Sequence, residues 1–142
     1  MATINLSHSY PVAKEKVWEQ LTRDELLTAW CLPSANFALE KGRQFKFEDK
    51  PSPFWDGVFI NTVIDFDAGA FLSYRCTNAR SKMDTIVTWK LTEKNGSTEL
   101  SLEHSGFRPF KDLFTKMALT TGWKSMMEKK LHGKLLAEKQ ES

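Results

Sequence analysis

A chain of 142 residues, 41% apolar and 27% charged, suits a single globular domain spanning residues 1–142 and leaves little room for a second. Lys plus Arg number 20 against 18 Asp plus Glu, and a net charge of +2 is too even for the basic stripe of a nucleic-acid-binding protein. Ten Phe, five Trp and two Tyr imply either an aromatic core or an aromatic-lined cavity.

The first residues, "MATINLSHSYPV", carry neither the basic segment nor the apolar run of a secretion signal. No apolar run approaches the ~20 residues of a membrane span. The expected location is therefore the cytoplasm, with Cys31 and Cys76 as reduced, unbridged thiols that match no metal-ligand spacing. "TINLSHSY" sets Ile4, Leu6, His8 and Tyr10 against polar neighbours, the pattern of a half-buried strand that Pro11 ends. "VAKEKVWEQLT" and "DELLTAW" then read as two short helices in series, the second capped by Thr22 or Asp24 and stopped by Pro33.

From Phe37 to Phe107 the hydrophobic period is two. The segments "NFALE", "RQFKFED", "DGVFINTVIDFD", "AFLSYRCTN", "DTIVTWKLTEK" and "TELSLEHS" read as strands. They are separated by the turn sequences "EKGR", "KPSP", "DAGA" and "KNGS", of which Asn95-Gly96 is the strongest hairpin signal. Beyond Phe107 the texture is helical. Trp123, Met127, Leu131 and Leu135 form an i, i+4 row that would drift round an α-helix and cross a sheet obliquely. Strand, two helices, a run of antiparallel strands and a terminal helix define an α+β fold, with the last helix covering the apolar face of the sheet.

The residues "VWEQLT" (17–22), Trp30, "HSGF" (104–107) and Gly122-Trp123, in this order and spacing, resemble the START-like, or SRPBCC, superfamily. Within it the chain is similar to homologues of the activator of the ninety-kilodalton heat-shock protein ATPase, over roughly residues 3–137. The resemblance implies a helix-grip fold, a curved antiparallel sheet wrapped on a long C-terminal helix with two short helices between the first two strands. It also implies a cavity between sheet and helix, used across the superfamily for apolar or amphipathic small molecules. Two departures stand out. Lys41-Gly42 replaces a glycine pair before the second strand, and nothing corresponds to the additional N-terminal domain with which the founding co-chaperones contact the chaperone.

Glu103, His104 and Ser105 are the three residue types of a hydrolase triad, standing side by side. Successive strand side chains point to opposite faces, so His104 continues the stripe of Leu100 and Leu102 while Glu103 and Ser105 face away. A base that points away from its nucleophile and carboxylate makes no triad. His104 is expected to be a buried histidine bonded to backbone or water, with contact to a ligand as its functional alternative. The implied fold pairs the first strand with the last, which puts His8 near Leu100 and ~13 Å from His104, too far to share an ion. His132 is expected on a solvated helix face. No metal and no cofactor are expected.

Alternation assigns inward sets to the strands. They are Phe45 and Phe47; Val58, Ile60, Thr62 and Ile64; Leu72, Tyr74 and Cys76; and Val87, Trp89 and Leu91. On the last helix Ala118, Thr121, Gly122 and Ser125 make one small-residue face that either approaches the sheet closely or leaves space for a guest. The cavity candidates are Phe45, Phe47, Ile60, Tyr74, Cys76, Trp89, His104, Ala118 and Gly122, and no residue is assigned as catalytic. The sequence thus reads as a non-catalytic binding module for a small apolar or amphipathic molecule. One rival is a chaperone-associated or homodimerising interaction domain. The other is a cyclase- or hydratase-type enzyme using His104 or Tyr74.

Overall fold

The computed structural model describes residues 2–51, 53 and 56–141. Strand β1 (Ala2–Tyr10) leads into helices α1 (Lys14–Thr22) and α2 (Asp24–Trp30). Six strands follow: β2 (Ser34–Ala35), β3 (Gln44–Glu48), β4 (Val58–Asp67), β5 (Phe71–Asn78), β6 (Met83–Lys94) and β7 (Ser97–Phe107). They form one antiparallel sheet in the order β1-β7-β6-β5-β4-β3-β2. Consecutive strands are neighbours throughout, apart from β1, which crosses to pair with β7. The register sets Ile4 against His104 and His8 against Leu100, as the fold implied.

Two local expectations fail. "NFALE" is not a strand, because the short edge strand β2 ends at Ala35 and Asn36 turns the chain with a φ of 71°. Neither Thr22 nor Asp24 caps α2. Thr22 donates back to the Trp18 carbonyl, and the Asp24 carboxylate instead accepts from Ser34 Oγ and the Phe37 amide, tying α2 to β2. Of the expected "KPSP" break, Ser52 lies outside the described residues.

The C-terminal helix lies on the apolar face of the sheet in three continuous segments. These are α3 (Leu113–Ser125), a π-helical turn (Met126–Leu131) and α4 (His132–Glu141). The π turn answers the drift expected of the i, i+4 row. A spacing of four overshoots a 3.6-residue α turn, and a wider i→i+5 turn takes up part of the excess. Trp123, Met127, Leu131 and Leu135 therefore all stay buried along one line. Tyr10 fixes the turn to the sheet by donating its hydroxyl to the Met127 carbonyl at 2.7 Å.

Strand β4 faces the other way from the expected one. Phe59, Asn61 and Val63 are buried, whereas Ile60 and Ile64 are exposed. A β-bulge between Val63 and Asp65 adds one residue to β4 opposite β5. The bulge lies after Val58, Ile60 and Thr62, so the inversion is one of the strand's parity itself: both faces carry β-branched or aromatic residues, and the sequence offers either as the inward one.

Candidate functional site

Strand β7 alternates as its sequence dictates: Leu100, Leu102 and His104 are buried and Glu103 is exposed. The three triad-like residues thus lie on two faces. Both ring nitrogens of His104 are engaged. Trp123 Nε1–H on α3 donates to His104 Nδ1 at 3.1 Å, so Nε2 carries the proton and donates to Thr85 Oγ1 at 2.7 Å. Thr85 passes its own hydrogen to the Cys76 carbonyl at 3.0 Å. This chain joins helix, β7, β6 and β5 with every donor matched to an acceptor. Burial pushes the His104 pKa down to about 3, and the imidazole is neutral. Gly106, at φ 96°, lets the end of β7 pass close to Asp84 and Thr85, where a Cβ would come within 3.3 Å of the Asp84 carbonyl oxygen.

Beside this chain lies a cavity of about 220 Å³ between sheet and helix. Phe47, Phe59, Tyr74, Cys76, Val87 and His104 form its sheet side, and Ala118, Leu119, Gly122, Trp123 and Met126 its helix side. Leu32 and Asp49 complete the lining. Asp49 and Ala118 are solvent-exposed, which places the opening between the end of β3 and α3. The Cys76 thiol is pushed up to about 12 and the Tyr74 phenol well above its usual value, both chiefly by burial. Both are uncharged.

Six of the nine cavity candidates meet here: Phe47, Tyr74, Cys76, His104, Ala118 and Gly122. Phe45 and Trp89 stand one layer behind. Phe45 packs edge-on against Tyr74 and Phe47, and Trp89 packs against Trp30 and Trp123. Ile60 sits on the outer face of the sheet, because β4 takes the opposite parity to the expected one. Of the small-residue face only Ala118 and Gly122 reach the cavity. Phe59, Thr85, Asp49 and Met126 were not singled out from the sequence. Thr85 was readable by extending the Val87 parity two residues back. Asp49 and Phe59 flank a nine-residue connection whose length sets no register.

Outside the cavity, His132 is half-buried rather than solvated, its Nδ1 2.8 Å from His8 Nε2. Burial and the neighbouring His132 lower the His8 pKa against an opposing pull from Glu128. Among the described residues no three His, Cys, Asp or Glu side chains converge as a metal site would require, and no helix is long and apolar enough to cross a membrane. Cys31 and Cys76 are free thiols.

The sequence model of one family, Activator of Hsp90 ATPase homolog 1-like protein, matches residues 11–135. The chain belongs to this family. The Hsp90-activator-like domain superposes on protein MLL2253 from Mesorhizobium loti with a TM-score of 0.84 at 27% identity, covering 96% of this chain and 98% of that one. It also shares its fold with the Aha1 dimer of Colwellia psychrerythraea (TM-score 0.67, 18% identity, 89% and 91% covered). A third structure of the same fold is DynU16, from the dynemicin biosynthetic locus (TM-score 0.76, 21% identity), of which 94% of this chain matches only 46%. No curated protein matches.

Among the described residues, one buried side chain in the core of this Hsp90-activator-like domain has no hydrogen-bond partner. Asn61 is fully buried, and neither its Oδ1 nor its Nδ2 makes a hydrogen bond. Leaving such groups unpaired costs about 1–3 kcal/mol. Asn61→Val, which suits a strand and removes both polar atoms, is expected to raise stability by a similar amount in urea denaturation. A lower midpoint would show that the amide has a partner in solution.

The two faces of β7 make a further expectation. Glu103→Gln and Ser105→Ala change the outer face and should alter stability by at most ~0.5 kcal/mol. His104→Ala leaves the Trp123 N–H without an acceptor and should cost about 1–3 kcal/mol. Equal losses in all three variants would contradict the face assignment.

Proposed function

We propose that this domain is a non-catalytic binding module that holds a small apolar or amphipathic molecule in the cavity between sheet and helix. The observation that carries the reading is a mostly apolar space of about 220 Å³ between sheet and helix. Voids destabilise by ~24 cal/mol per Å³, so this one costs at most ~5 kcal/mol, its open end lowering the figure. Leucine at position 122 would fill much of it, and the chain has glycine there. A cavity of ~150 Å³ accommodates benzene, so this one suits a molecule of about two fused rings.

A catalytic role for the wall is disfavoured by its chemistry. His104 is neutral with both nitrogens engaged, and Tyr74 keeps its proton. Neither is poised to exchange a proton near neutral pH. Native mass spectrometry of the protein as purified from cells tests the reading. A retained small molecule, displaced by an added apolar ligand, is the expected result. Bare protein that no apolar molecule of this size stabilises against heating would refute it.

One observation favours a second reading, an interaction domain. Phe110, in the turn before α3, and Leu113, Phe114 and Met117 within α3 follow the spacing i, i+3, i+4, i+7 and are exposed, Phe110 by 90%. Such a stripe suits a partner chain, including a second copy. Sedimentation of the wild type and Phe110→Ser at several concentrations separates the readings, since only the interaction domain loses an assembly on substitution.

A further inference from the structure

We propose that the molecule held in this cavity is uncharged and carries a hydrogen-bond acceptor, a carbonyl or ether oxygen, which takes the hydroxyl hydrogen of Tyr74. This inference rests on the binding-module reading and adds the chemical class of the ligand. It follows from where the N–H and O–H hydrogens at the wall go. The Trp123 N–H is given to His104, the His104 N–H to Thr85, and the Thr85 hydroxyl to the Cys76 carbonyl. Trp89 gives its N–H to the Tyr74 oxygen at 3.1 Å. Tyr74 itself is 2% exposed and donates to nothing among the described residues.

A buried phenol with an idle donor leaves a hydrogen-bonding group unsatisfied, and buried polar groups are rarely left so. Tyr74 lines a space large enough for a guest, so the missing acceptor belongs on that guest. The same wall rejects a charged group. No Lys or Arg lines the cavity, and its single carboxylate, Asp49, stands at the opening. A bound carboxylate would lose its hydration without gaining a counter-charge, and it would pass a like charge on the way in.

The test uses three probes of one shape, 2-ethylnaphthalene, 2-acetylnaphthalene and 2-naphthoate, with the wild type and Tyr74→Phe. Dissociation constants come from the probes' own fluorescence. In the wild type the affinity of the ketone relative to the hydrocarbon should be about tenfold higher than in Tyr74→Phe, the effect of one hydrogen bond. Naphthoate should bind more weakly than the ketone. An unchanged ratio between the two proteins, or naphthoate binding as well as the ketone, overturns the inference while leaving the cavity a binding site. If neither neutral probe binds, the binding-module reading falls as well.

Tyr74→Phe also strips the Trp89 N–H of its acceptor, so a measurement on the wild type alone stands beside it. The infrared carbonyl band of bound 2-acetylnaphthalene should lie below its position in hexane, as for a hydrogen-bonded ketone. A band at the hexane position overturns the inference whether or not the variant folds.

Discussion

Acidification from pH 7 to pH 4 will remove about 3 kcal/mol of folding stability through His104 alone. Burial holds its folded pKa near 3, against 6.5 in the unfolded chain. Between those values the unfolded state takes up a proton that the folded state refuses. The stabilisation is therefore complete above pH 6.5 and is lost as pH falls, at up to ~1.4 kcal/mol per pH unit. His8, whose pKa is also lowered, acts with the same sign. Only a variant isolates the His104 share. His104→Gln keeps an acceptor for Trp123 and a donor for Thr85 but does not titrate. Urea denaturation of both proteins from pH 7 to pH 4 should show a distinctly shallower decline for the variant. Parallel declines would mean that His104 is solvated, and that the chain from Trp123 to Cys76 does not exist in solution.

Substitution of Gly122 should separate stability from binding. A Cβ added at this helical position meets no atom within 4 Å, because it points into open space at the cavity wall. Gly122→Ala then gains helix propensity without a clash, and about 1 kcal/mol of stability. Gly122→Leu keeps that gain and extends a branched side chain into the cavity. Its affinity for 2-ethylnaphthalene should fall at least about tenfold while its melting temperature stays at or above the wild-type value. A destabilised Leu variant would show that helix and sheet close on this position in solution, and undiminished affinity would place the ligand elsewhere.

Most of the fold was legible because the signals that carry it are local. The two-residue period of β5 to β7, the Asn95-Gly96 hairpin, Pro33 after α2 and the helical row beginning at Trp123 each specify structure without reference to distant residues. Parity on β3, β5, β6 and β7 followed from the period alone, and it brought Phe47, Tyr74, Cys76 and His104 to one wall. Strand β4 was illegible for a physical reason. Both of its faces carry β-branched or aromatic residues, and its connection to β3 sets no register. The inverted reading exposed Phe59 and Asn61 in expectation and buried Ile60. Equally hidden was the π turn, since an i, i+4 row is compatible with a straight α-helix until the sheet beneath it demands otherwise. The pairing of His8 with His132 joins the two ends of the chain, and nothing local announces it.

The central claim, that the space under α3 is a ligand site and not an accident of packing, is tested most directly by amide chemical-shift mapping. Uniformly ¹⁵N-labelled protein is titrated with 2-ethylnaphthalene, and the shifted amides are assigned. Shifts should concentrate at Phe47, Cys76, Val87, Gly122 and Met126, and spare Ile60 and Ile86 on the outer face of the sheet. Shifts confined to Phe110, Leu113 and Met117, or no saturable shift at all, would contradict it.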